Sequence, residues 1–174
     1  GSADKAAVEV VGLRVPRGCI YGLLGPNGAG KYTTLRLIVG IFFPDAGRLS
    51  VMGQSDPASV KERIGYLPEE RGLYEKMRVR DLMTYFGQLK GMETGLARKR
   101  ASELLQRYGL GESADKKCQT LSKGMAQKAQ ILATLIHEPE PIILDEPFSG
   151  LDPLNRDLMR DLILQLKREG RGVI

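Results

Sequence analysis

The feature that most constrains this chain is a glycine-rich loop, Gly-Pro-Asn-Gly-Ala-Gly-Lys at residues 25–31. Gly25, Gly28 and Gly30, interleaved with Pro26, Asn27 and Ala29, let the backbone turn so that successive N–H groups converge on one point. A helix opening at Lys31 aims its positive end at the same point, and the Lys31 ammonium adds a full charge. Such a cradle suits the β- and γ-phosphates of a nucleoside triphosphate. The pattern Gly-x-x-x-x-Gly-Lys-[Ser/Thr] closes with a small hydroxyl that ligates Mg²⁺. This chain has Tyr32 there. A phenol holds its oxygen far from the backbone, and Thr33, about 100° further round the helix, does not easily replace it. The expected consequence is impaired binding or turnover of the Mg²⁺–nucleotide complex, by at least about 10–100-fold.

The loop requires a strand before it and a helix after it. Residues 20–24 are an apolar strand pattern, and Leu35, Leu37, Ile38, Ile41 and Phe42 recur at helical spacing. Residues 8–11, 13–15, 49–52 and 64–67 also read as short strands, and 59–63 as one or two helical turns. From residue 78 to about 116 the texture becomes helical, through Val79, Leu82, Met83, Phe86, Leu89, Leu96, Ala101, Leu104, Leu105 and Tyr108. A helix over 123–135 opens at Ser122, a good N-cap. Residues 142–144 form a buried strand, Pro153 starts a helix to about 169, and 173–174 begin another strand. Strands alternating with helices argue for an α/β fold with a mainly parallel sheet flanked by helices.

Ile142, Ile143 and Leu144 lead into Asp145 and Glu146. Alone this reads as a buried strand followed by solvated acids. After a phosphate loop, Asp145 is suited to hold Mg²⁺ through water and Glu146 to polarise an attacking water.

Bulk properties narrow the partners. The 174 residues suffice for one domain. Aromatic residues are 6% with no Trp, which argues against a base-stacking platform for nucleic acid. The net charge of +5 is spread along the chain apart from Arg98, Lys99 and Arg100. That distribution reads as a solvated surface, or as contact with a membrane-embedded partner or acidic surface. The two cysteines, Cys19 and Cys118, have no metal-site spacing. No apolar run reaches the ~18 residues of a membrane span, and Gly1-Ser2 reads as a cloning remnant.

Four blocks in order carry a family resemblance: residues 25–31; Tyr66-Leu67-Pro68-Glu69; Leu121-Ser122-Lys123-Gly124-Met125; and residues 142–152, ending Pro-Phe-Ser-Gly-Leu-Asp. The chain resembles the ATP-binding cassette (ABC) ATPases over almost its whole length, most of all the ATPase subunits of bacterial sodium-extrusion or ABC-2 type exporters. The third block is similar to the family's Leu-Ser-Gly-Gly-Gln signature. The resemblance implies a P-loop NTPase fold of ABC type, with an N-terminal antiparallel β element and a helical subdomain inserted at about 78–117 between core segments 3–77 and 118–174. It implies ATP and Mg²⁺ as ligands, Lys31 and Glu146 as catalytic, and Ser122, Gly124 and Asp152 as nucleotide-binding. Two cassettes, identical or different, would sandwich two ATP molecules and drive an integral membrane permease from the inner face of the cell membrane, with no nucleic acid expected.

The chain departs from that pattern at Tyr32 and at Glu69, where the family usually has glutamine. A carboxylate is a hard Mg²⁺ ligand, so Glu69 joins Asp145 as a metal candidate. The family's switch histidine and adenine-stacking aromatic have no counterpart in the sequence; the one histidine, His137, reads as a helix C-terminal or surface residue. The chain thus reads as clipped at both ends, with doubtful hydrolysis. Two alternatives stay open: a non-transport ABC ATPase acting on nucleic acid or ribosomes, and a nucleotide-binding module that is catalytically silent.

Overall fold

A computed structural model of the chain describes residues 12–26, 28–68 and 74–174. The regular elements, in chain order, are α1 (Lys31–Ile38), β1 (Gly65–Leu67), α2 (Val79–Leu89), α3 (Thr94–Arg107), α4 (Lys123–Leu135), β2 (Pro141–Leu144), α5 (Pro153–Arg168) and β3 (Gly172–Val173). Short 3₁₀ segments lie between them, the longest at Pro57–Arg63, where Asp56 caps the turn by accepting from the Ala58 N–H.

The three strands form a parallel sheet in the order β1-β2-β3, with Tyr66 beside Ile143 and Ile142 beside Val173. Parallel neighbours need long crossovers. Here α2, α3 and α4 lie between β1 and β2, and α5 lies between β2 and β3. A sheet covered on both faces has apolar residues on both faces, and successive residues of β2 divide accordingly. Ile142 and Leu144 enter a core with Leu82, Leu132, Leu162 and Leu166. Ile143 enters a second core with Leu35, Ile38, Val60 and Ile64. Both isoleucines are fully buried, so α1 lies on one side of β2 and α4 and α5 on the other.

Several expected strands shrink. Residues 8–11 lie outside the described residues, and 13–15 form no strand. Residues 20–24 pair only through Ile20, in a parallel bridge to Val173. The Tyr21 N–H donates to the Val173 carbonyl at 2.8 Å, and the Val173 N–H to the Cys19 carbonyl at 2.9 Å. At 49–52 the chain reverses instead of extending, because Met52 and Gly53 both take positive φ. What remains is an antiparallel bridge between Val51 and Gln54.

Helices follow the periodicity closely, with exceptions at element ends. Val79, Leu82 and Met83 are fully buried, whereas Leu89, last in α2, and Leu96, early in α3, are mostly exposed. Ile41, Phe42 and Phe43 are also exposed, since α1 stops at Ile38 and its apolar pattern runs on into a turn.

Candidate nucleotide-binding site

The loop becomes a cradle through its glycines. Gly28 and Gly30 sit at φ 83° and 81°, a left-handed conformation that a side chain would strain. Gly30 is the N-cap of α1 and offers no side chain to its first turn. The first N–H groups of a helix lack intrahelical acceptors, so this end is left for an anion. Pro26 holds the loop shut by accepting from the Ala29 N–H at 3.2 Å. Lys31 Nζ folds back onto the carbonyls of Gly25 (2.5 Å) and Pro26 (3.3 Å). Asn27 lies outside the described residues. Thr33 is half-buried on the first turn of α1, and the next hydroxyl, Thr34, is buried and donates to the Gly30 carbonyl at 2.9 Å.

Tyr32 packs against the next turn of α1. The Arg36 guanidinium, one turn on, covers its ring at 3.9 Å from the centroid and lies 5.3 Å from the centroid of Phe42. Beside the same guanidinium is the Tyr66 hydroxyl on β1, which has no hydrogen bond of ordinary geometry among the described residues. Burial raises the Tyr66 pKa, the Asp145 charge raises it further, and Arg36 offsets part of the rise. Arg36 and Tyr66 therefore join the cradle helix to the acid at the end of β2.

Asp145 is 7% exposed and follows the last residue of β2, its N–H donating to the Leu67 carbonyl at 2.9 Å. A largely buried carboxylate at a strand end is suited to a divalent cation. For Mg²⁺ the fit is therefore partial. Asp145 offers a buried carboxylate suited to hold it, while Tyr32 supplies no small hydroxyl beside Lys31. Glu69, the second metal candidate, lies outside the described residues. Glu146 takes φ 48°, a conformation that costs a non-glycine residue about 1–2 kcal/mol and tends to mark working sites. The loop after it is tied down by Gln127 of α4, a buried side chain whose amide donates to the Pro147 carbonyl.

A second cluster forms where the N-termini of α4 and α5 meet. Ser122 Oγ accepts from the Met125 N–H at 3.3 Å, which leaves its hydroxyl proton to donate outward. Asp152 caps α5, with Oδ1 accepting from the Asn155 N–H at 2.9 Å and Oδ2 from the Asn155 amide at 2.7 Å. The Asn155 N–H is also the main reason the Asp152 pKa is lowered. Asp152 is therefore a helix cap in this arrangement. Gly124 is glycine for space: a Cβ there would fall inside the Asn155 amide, 3.0 Å from Asn155 Cβ. Lys123 Nζ lies over Gly150 in the same way.

Arg36, Gln127 and Asn155 were not singled out from the sequence, and Tyr66 only as the first residue of the second block. Arg36 was legible as the i+4 neighbour of Tyr32, and Asn155 as the third residue after an N-cap acid. Nothing local marks Gln127, whose partner Pro147 is distant in the chain. His137, expected at a helix C-terminus or a surface, is half-buried just past the C-terminus of α4, with Nε2 3.3 Å from the Ile64 carbonyl. It lines a cleft of about 410 Å³ with Val39, Ile41, Phe86, Leu89 and Lys90.

The ABC transporter family matches residues 8–149. An uncharacterized ABC transporter ATP-binding protein, YhaQ, of Bacillus subtilis is 44% identical over 171 residues, covering 98% of this chain and 57% of its own length. The daunorubicin resistance ATP-binding protein DrrA3 of Streptomyces coeruleorubidus is 40% identical over 174 residues, covering 98% of the chain and 55% of its own length. The chain thus spans a little over half the length of these curated relatives. Among solved structures, CbiO1 of Clostridium perfringens, described as part of the ABC transporter complex cbiONQ, matches with a TM-score of 0.87 at 28% identity, over 97% of this chain and 70% of that one. The phosphate cradle, the acidic strand end and the capped signature helix, in this order and on this sheet, make the chain a member of the ABC transporter ATP-binding family.

Proposed function

We propose that the chain is the nucleotide-binding part of an ABC transporter ATPase subunit, coupling ATP binding and hydrolysis to export through a separate membrane permease. The observation that carries this reading is the lysine-tipped cradle at the N-terminus of α1, connected through Arg36 and Tyr66 to the buried Asp145. Lys31 exchanges its loop carbonyls for phosphate oxygens, and the α1 N–H groups take the remaining charge. Asp145 orients the metal end of the nucleotide, and Glu146 polarises the attacking water. Mg²⁺, when bound, neutralises charge on the transferring phosphoryl group. Ser122 and the open N-terminus of α4 cap the γ-phosphate held by a second cassette.

Export, rather than import, draws support from the resemblance of the signature blocks and from the resistance function named for DrrA3. No helix among the described residues is long and apolar enough to cross a membrane. The cleft beside Leu89, with apolar walls and Lys61, Glu62 and Lys90 among its lining residues, is suited to engage a cytoplasmic segment of the permease, which holds the cassette on the inner face of the membrane. A silent-module reading is favoured by one observation, a tyrosine at position 32 in place of the small hydroxyl.

The test compares Mg²⁺-dependent hydrolysis by the full-length subunit and by its Tyr32→Thr variant. The ATPase reading expects a gain of about 10-fold or more on restoring the hydroxyl. ATP binding with no hydrolysis in either protein would leave the silent module, and no ATP binding in either would overturn both readings.

A further inference from the structure

Two of the buried polar side chains, Thr34 and Thr84, satisfy themselves locally, each donating to the carbonyl four residues back. Gln127 of α4 does not. It is 4% exposed, in a helix whose other buried residues are the apolar Ala129, Ile131, Leu132, Ala133 and Leu135. An amide costs free energy in such a place unless it is paired, and a methionine would fill the same space without that cost. The Gln127 amide donates to the carbonyl of Pro147, 20 residues further along the chain.

Pro147 follows Glu146, and the two residues form a strained corner. Glu146 takes φ 48°, a conformation that a non-glycine residue keeps only where its surroundings over-determine it. Pro147 disfavours the right-handed helical region for the residue before it. It has no N–H of its own, so its carbonyl is the backbone group by which it can be held. The loop is fixed before the corner by the Asp145 N–H on the Leu67 carbonyl at 2.9 Å, and after it by the Ser149 N–H on the Glu146 carbonyl at 3.1 Å. Gln127 ties the corner itself to α4. Its reach is set one turn earlier. Gly124, on the same face of α4, leaves room for the Asn155 amide, so the helix lies close against the start of α5.

We propose that Gln127 is a positioning residue for ATP hydrolysis: its hold on the Pro147 carbonyl keeps Glu146 in the left-handed conformation from which it polarises the attacking water. The proposal rests on the role given to Glu146 above. It makes a side chain of the signature helix act on the acid of its own chain, apart from Ser122, which serves the second cassette.

The experiment compares the full-length subunit and its Tyr32→Thr form with and without Gln127→Met, which keeps the bulk of the side chain and removes the donor. The kcat for ATP should fall about 10- to 100-fold, the effect of slightly misplacing a catalytic group. ATP affinity by calorimetry should be unchanged, because the cradle lies on α1. In a Glu146→Gln background the same change should add no further loss, since Gln127 acts through Glu146. With neither nucleotide nor metal present, amide exchange at Ser149 should quicken about 3- to 10-fold, as the restraint of one hydrogen bond leaves the corner. A merely structural role predicts parallel losses of kcat and ATP affinity, or an added loss in the Glu146→Gln background, and either result overturns the proposal. Unchanged kcat or unchanged exchange also overturns it. Should Gln127→Met fail to fold, Gln127→Asn, whose amide is one methylene short, carries the same expectations. Absence of hydrolysis in both the subunit and its Tyr32→Thr form would instead defeat the catalytic reading of Glu146, and the proposal with it.

Discussion

Substituting Gly124 by alanine should destabilise the chain through a residue 31 positions away. In the first turn of α4 an added methyl would normally help, since alanine is favoured over glycine in a helix by about 0.5–1 kcal/mol. Here the new Cβ falls inside the Asn155 amide, 3.0 Å from Asn155 Cβ. The amide must turn away and give up its 2.7 Å bond to Asp152 Oδ2, while the backbone bond from Asn155 N–H to Oδ1 survives. Overpacking of this kind costs about 1–3 kcal/mol, so the net loss is about 1 kcal/mol after the helix gain. For a chain of this size that lowers the melting temperature by about 2–4 °C. Asn155→Gly removes the obstructing atoms, and Gly124→Ala in that background should stabilise by about 0.5 kcal/mol. Thermal or urea unfolding of the four proteins reads both signs. Stabilisation by Gly124→Ala in the unmodified chain, or the same loss in both backgrounds, would refute the argued contact between the signature helix and α5.

Tyr108, 4% exposed, donates to the Glu169 carboxylate at 2.9 Å and ties the end of α3 to the end of α5. Burial, then Glu169, pushes its pKa up to about 12 from 10.0. A raised folded-state pKa stabilises below the unfolded value and loses that stability as pH rises. The contribution should therefore be whole below about pH 10 and gone above about pH 12. Tyr108→Phe should cost about 1–2 kcal/mol at neutral pH and flatten the alkaline decline in urea titrations. At the cleft, Leu89→Asp changes a side chain 60% exposed, so the fold and ATP affinity should be unaffected. The same change should reduce co-purification with the permease by about 10-fold or more if the cleft is where the two meet.

The sequence carried the fold where local signals and tertiary need agreed. Ser122, Pro153 and the apolar periodicity placed α4 and α5 to within a residue, because capping and amphipathicity are local. The strands were less legible. Residues 20–24 have the composition of a strand, but pairing is decided across the sheet, and among the described residues they pair through the bridge from Ile20 to Val173. Of the candidate site, the cradle and acids were readable as motifs, since glycine, lysine and carboxylate are demanded by phosphate and metal chemistry themselves. The orientation of Tyr32 was not readable. It depends on Arg36, Phe42 and Tyr66, which come together only when the turn after α1 folds back and β1 packs beside it. Ser122 and Asp152 show a related limit, because residues expected to face nucleotide also serve as helix caps.

The central claim, that residues 25–33 form a working phosphate cradle in spite of Tyr32, is tested most directly by titrating the chain with ATP beside its Lys31→Ala variant. The account predicts saturable binding by the unmodified chain and a loss of about 10-fold or more on removing the Lys31 ammonium, the worth of a charge-assisted contact to phosphate. Binding that does not depend on Lys31, or no binding at all, would contradict it.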